Sequence, residues 1–140
     1  MRLLDVDIRG PNTSLVTVPG PTFAGSPRNA LLQANFTADA SGSSVDAYVQ
    51  TTIDAGATWM DIANFHFTTT SAIKYANLSS FTPVTTEGTP TSGGMTANAV
   101  QDGVLGPAFR IQYKSAGTYN TAHIRIDLQG VDIPFGATAA

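Results

Sequence analysis

The chain has no cysteine. Disulfides and cysteine-ligated zinc or iron–sulfur centres are therefore excluded. Charge is scarce as well. Asp, Glu, Lys and Arg make up 12% of the 140 residues, about half the share of an average globular domain. The 7 basic residues are outnumbered by 10 acidic ones, for a net charge of −3. A DNA or RNA clamp needs a basic footprint, so the chain is expected to bind no nucleic acid. No apolar run approaches the roughly 18 residues that a membrane-spanning helix requires, and no membrane partner is expected. The first residues, Met1-Arg2-Leu3-Leu4-Asp5-Val6-Asp7, place acids where a signal peptide has its apolar core. The expectation is a protein made in cytoplasm and used there, or in a particle assembled there. No P-loop, Gly-x-Gly-x-x-Gly stretch or Gly-x-Ser-x-Gly elbow occurs.

What is present is apolar residues in quantity, 42% of the chain, with Thr, Ser, Asn and Gln standing in for the missing charge. That composition suits one folded domain rather than a disordered chain. The dominant period is two. In Ser44–Ile53, Val45, Ala47, Val49, Thr51 and Ile53 share one face, and Asp46, Tyr48, Gln50 and Thr52 the other. Ala108–Lys114 places Phe109, Ile111 and Tyr113 inward, and Ala122–Gln129 does the same with Ile124, Ile126 and Leu128. Such alternation predicts antiparallel strands with one wet face. Short polar stretches containing Gly42, Gly56 and Gly117 separate the strands and read as hairpin turns.

Two stretches lack this pattern. Residues 1–27 are punctuated by Gly10-Pro11, Pro19-Gly20-Pro21 and Ser26-Pro27, which predicts an extended N-terminal arm with a short strand at Ser14–Val18. Residues 79–107 are rich in Ser, Thr, Gly and Pro and read as a long excursion from a domain spanning 28–130. Residues 131–140 read as a tail. The fold expected is all-β, an antiparallel β-sandwich or jelly roll of about eight strands. Its core is expected to hold Val45, Val49, Ile53, Trp59, Ile62, Phe65, Phe109, Ile111, Tyr113, Ile124, Ile126 and Leu128.

The most specific local motif is Thr52-Ile53-Asp54-Ala55-Gly56-Ala57-Thr58-Trp59. It resembles the Asp-box of sialidase-type propeller blades, with Thr52 where that motif has Ser. A propeller needs several copies, and here there is one. The stretch therefore reads as a structural hairpin. Asp54 accepts amide hydrogen bonds within the turn, Gly56 supplies a positive φ, and Trp59 covers the hairpin base after Thr58.

The same region carries a wider resemblance. The strand Val45–Ile53, the turn Asp54–Trp59, then Asp61-Ile62-Ala63 and Phe65 are similar to small β-sandwich proteins of tailed-phage virions. So is the closing hairpin, Phe109–Tyr113, the Gly117 turn and Ile124–Leu128. The resemblance covers roughly residues 30–67 and 104–130. It implies a non-catalytic structural role in the virion: capsid decoration (cement) protein first, with head–tail connector or tail and fibre component as alternatives. It also implies major capsid or other virion proteins as partners and a homo-oligomer, a trimer for preference. The arm and tail would be the gripping parts.

Other chemistry finds less support. His66 and His123 are the only histidines, and a metal site would need both beside a carboxylate such as Asp61 or Asp127. No ligand spacing connects them, so no metal and no cofactor is expected. Asp46 and Asp61 could face each other across a hairpin, but nothing implies a cleft around them. Asp5, Asp7, Asp39 and Asp102 do not form a calcium loop. Asn12, Asn35 and Asn77 begin Asn-x-Ser/Thr sequons that a chain without a signal peptide would not use. No catalytic constellation emerges, and the chain is expected not to be an enzyme. A carbohydrate-binding module remains as a reading from another class, using exposed aromatics such as Tyr48, Tyr75 or Tyr119. Low charge and arms favour the assembly reading, because burying a weakly charged surface costs little desolvation.

Overall fold

A computed structural model describes residues 1–131, and of Val131 only the backbone. The architecture is a β-sandwich of two four-stranded sheets. The strands are β1 (Arg2–Gly10), β2 (Val16–Thr22), β3 (Asn29–Thr37), β4 (Ser44–Thr52), β5 (Met60–Phe67), β6 (Ala72–Ser79), β7 (Ala108–Ala116) and β8 (Tyr119–Val131). One sheet runs β1-β8-β3-β6 and the other β2-β7-β4-β5. Every pairing is antiparallel.

Period-two patterning builds the core. Leu32 pairs with Leu128 and Ala34 with Ile126 in the first sheet. Val49 pairs with Ile111 and Ala47 with Tyr113 in the second. All of these side chains are buried between the sheets. Phe36 stacks on Phe67 at 5.0 Å, and Tyr119 meets Phe36 edge-on at 6.1 Å, which closes one end of the sandwich. A register shift opposite Val49 and Gln50 leaves Ile62 as the extra residue of β5. The bulge keeps Ile62 buried and turns Asp61 to the outer face beside Gln50.

The structure departs from the sequence reading in three places. Residues 1–27 are not a free arm. β1 pairs with β8 and β2 with β7, and Leu3, Leu4 and Ile8 lie in the core. The apolar period of Leu4, Val6 and Ile8 outweighs the prolines, which fall between strands or on the edge strand β2. Ile53 is 67% exposed and Trp59 only half-buried, so neither belongs to the core, because both lie in the turn beyond the end of β4. Tyr48, expected on a wet face, is buried: β4 is a central strand, and Asn64 and Gln112 flank the tyrosine in register. The remaining expected core residues are buried. The tail from residue 132 onward lies outside the described residues.

Candidate interaction surface

The excursion between β6 and β7 is held by one carboxylate. Asp61 is 1% exposed and accepts five hydrogen bonds. Its Oδ1 takes Gln50 Nε2 at 2.7 Å and the Gly93 amide at 2.9 Å. Its Oδ2 takes Thr91 Oγ1 at 3.0 Å and the amides of Gly94 and Met95 at 3.0 and 3.1 Å. Gly93 has φ of +74°, which bends the chain so that successive amides converge on the carboxylate. Residues 91–95 therefore lie over the outer face of the second sheet, with Gly93 against Leu15.

Further along, the excursion closes the free edge of β5. The Asp61 amide donates to Thr91 O, the Asn64 amide to Ala99 O, and the Gln101 amide to Ile62 O. Its root is fixed by Asp102, which accepts from the Ser79 amide, Thr82 Oγ1 and the Gly103 amide. Those bonds hold the Asp102 carboxyl below its usual range, the Ser79 amide having the largest effect.

Each of the other sheet edges is treated differently. β2 carries Pro19 and Pro21, which cannot extend a ladder. β1 is bulged at both ends and lined by charge. There His123 bonds Asp7 Oδ1 at 2.8 Å and Asp5 Oδ1 at 2.5 Å, and Arg2 bridges Asp5 and Asp127 at 2.9 Å each. Among the described residues, β6 has β3 on one side and no strand on the other. The Ser80 amide donates to Arg28 O, which makes Asn29–Ser79 a non-hydrogen-bonded pair. By alternation, the amides of Ile73, Tyr75 and Asn77 point away from β3, as Ser79's does toward Asp102.

A groove of about 420 Å³ runs below this open edge, between β6, β5 and residues 98–100. Ala63, Phe65, Ala76, Ala99 and Val100 line it, with Lys74 entering from β6. Lys74 Nζ donates to Asn98 Oδ1 at 2.7 Å and to His66 O, and sits 5.0 Å from the Phe67 ring centre. Among the described residues, no carboxylate pairs with it. Around the groove, Tyr75 is 78% exposed, Ile73 62% and Val100 47%. Phe81 and Val84, at the root of the excursion, are also exposed.

A second concavity, of about 610 Å³, lies at the Asp-box-like hairpin. The hairpin is closed by its own side chains. Thr52 Oγ1 donates to Asp54 Oδ1 at 2.9 Å and accepts from the Gly56 amide at 3.0 Å. Asp54 Oδ1 accepts from the Thr58 amide at 2.8 Å, and Gly56 has φ of +90°. Trp59 lies under the Arg110 guanidinium, 4.5 Å from the ring centre, and shares the cleft with Phe23, Thr22 and Pro107.

The titratable residues singled out from sequence do not converge. His66 is on β5 and bonds Asp46 Oδ1 at 2.8 Å, whereas His123 is on β8 in the other sheet. Asp46 lies opposite His66 and Asp61 opposite Gln50, so the two acids do not face one another. Among the described residues, no three His, Asp or Glu side chains are grouped as a metal site would need. Of the three tyrosines offered as sugar platforms, Tyr48 and Tyr119 are buried and only Tyr75 is exposed.

No family model matches the chain, and no curated protein matches it. Among solved structures, one described as "CBM4 structure and function" is similar with a TM-score of 0.41 and 16% identity, over 90% of this chain and 82% of that one.

Proposed function

We propose that this chain is a non-catalytic structural subunit of a tailed-phage virion, a capsid decoration protein that stabilises the assembled head. The observation that carries the proposal is the open edge of β6. Three of the four sheet edges are closed by charge, proline or the excursion, and the fourth presents Ile73, Tyr75 and Val100 on a weakly charged surface. Exposed apolar side chains grouped in this way mark an interaction site. The resemblance of Val45–Phe65 and of the β7–β8 hairpin to small virion β-sandwich proteins supplies the kind of partner. The mechanism is mass action: a subunit that binds only the assembled shell shifts the equilibrium toward it. Several weak contacts per oligomer add through effective concentration. The N-terminal residues do not serve as a detachable grip, since β1 completes the core.

The test is light scattering on the isolated chain, then co-sedimentation with tailed-phage shells purified without it. Saturable binding at one copy number per lattice site supports the proposal. A closed ring that ignores shells indicates a connector or tail component.

The Trp59 cleft favours a second reading, as a carbohydrate-binding module. It combines an aromatic face with threonine hydroxyls and a guanidinium, the mixture that sugar-sized ligands require. A monomer that ignores shells and binds on a glycan array would establish it.

A further inference from the structure

We propose that the groove beside β6 takes an extended segment of a partner protein as an added strand, with a carboxylate of that segment paired to Lys74. This rests on the reading above only in that the chain binds another protein. The site has both parts that strand addition uses. Among the described residues, nothing pairs with the amides and carbonyls of Ile73, Tyr75 and Asn77, which form an open ladder edge. Beneath it, the groove of about 420 Å³ is floored by small side chains, Ala63, Ala76 and Ala99, which leaves room for every second side chain of an incoming strand. Residues 98–101 already pair with β5, so the floor is built rather than a gap.

Charge selects the occupant. Lys74 is half-buried, and its two oxygen acceptors, His66 O and Asn98 Oδ1, are neutral. A carboxylate arriving there gains a charge-assisted bond in a partly dehydrated site. A second copy of this chain is the wrong partner. Antiparallel β6–β6 pairing about Tyr75 would set Lys74 opposite Ala76 of the other copy and bring both ammonium groups into one groove, with no acid between them. The structure therefore assigns the groove to a strand with apolar residues at alternate positions and an acid among them.

The experiment is an amide-resolved NMR titration of the whole chain. The probes are two synthetic seven-residue peptides with Val at alternate positions, one with Asp at the centre and one with Lys there. With the Asp peptide at up to about 1 mM, the range of a weak single-strand contact, the amides of Ile73, Tyr75 and Asn77 shift saturably and gain exchange protection. The Lys peptide binds at least tenfold more weakly, and K74E reverses the preference. Asn77→Pro removes an outward-facing amide without breaking a bond to β3 and abolishes binding. Shifts confined to the Trp59 cleft, no shift with either peptide, or concentration-dependent self-association through β6 would each overturn the proposal. A chain that binds shells but neither peptide keeps the virion reading and loses the groove. One that binds the Asp peptide at β6 but no shells does the reverse.

Discussion

Asp61→Asn isolates the carboxylate that organises the excursion. The substitution keeps the volume and exchanges one oxygen for an NH2 group. Whichever oxygen is replaced, donors meet a donor. Loss of Oδ1 strands the Gly93 amide and leaves the new NH2 group itself facing donors, while Gln50 Nε2 keeps Ser92 Oγ and Gln112 Oε1 as acceptors; loss of Oδ2 strands Thr91 Oγ1 and the amides of Gly94 and Met95. The first choice is cheaper, with two donors orphaned, the Gly93 amide and the new NH2 group. An unsatisfied buried donor costs about 1–3 kcal/mol, so the sum is roughly 2–6 kcal/mol. Residues 91–95 can lift into water, which holds the loss near the lower end, about 3 kcal/mol. For a chain of this size that corresponds to a fall in Tm of roughly 10 °C. The assay is calorimetry at pH 7, with hydrogen exchange at residues 93–95 as the local readout. A Tm within about 2 °C of wild type, with those amides still protected, would refute the reasoning. It would mean that desolvation of the carboxylate cancels its hydrogen bonds.

Gly106→Ala should destabilise by roughly 3 kcal/mol, since a Cβ there would lie 1.9 Å from Thr52 O, a backbone atom that cannot swing away; chemical denaturation measures it, and an unchanged midpoint would disprove the close approach. Trp59→Ala should cost only about 1–2 kcal/mol, well below the 3–5 kcal/mol of a core tryptophan, because the ring is half-buried and its main partner is Arg110; a thermal melt with a core-sized loss would contradict the exposed placement. His123 is held above its ordinary pKa, first by its hydrogen bond to Asp7 and then by that to Asp5. Asp5 and Asp7 are held below theirs, chiefly by His123. The histidine's contribution is thus complete below about pH 6.5 and is lost as pH rises through its raised value, whereas the acids' contribution is lost as pH falls below about 4. The stability difference between wild type and His123→Gln, from urea midpoints, should shrink between pH 6 and pH 9, and a constant difference would remove the cluster from the account.

The sandwich was readable wherever period two ran without interruption. β4, β7 and β8 follow from residues such as Val45, Val49, Ile111 and Ile126 alone. β1 was obscured by its neighbours, because Gly10-Pro11 suggests an arm although Leu4, Val6 and Ile8 alternate as strand residues do. Ile53 falls outside the core because the alternation of β4 ends at a turn whose hydrogen bonds, from Thr52 and Asp54, carry the chain off the sheet. Asp61 could not be recognised as an organising group, since four of its five partners lie 30 or more residues away and only Ser92-Gly93-Gly94 hints at amides free to converge. The open edge of β6 was equally invisible. Which strand lies at a sheet edge is set by pairing across the whole chain, and Ile73 and Tyr75 look like ordinary strand residues until β3 is found on one side only.

The strand order has one more consequence. β7 and β8 form a single hairpin, yet β7 lies between β2 and β4 in one sheet while β8 lies between β1 and β3 in the other. Until that hairpin arrives, β1 and β2 have no partner strand, and each sheet exists only as the pair β3–β6 or β4–β5. Pairing of such distant segments is slow, so both sheets should lock together late and in one step. The same geometry makes the long connection after β6 a natural cut point. The strands before it form a receptor with a vacant slot in each sheet, and the β7–β8 hairpin is the one piece that fills both, which is the design of a split protein reassembled by fragment complementation.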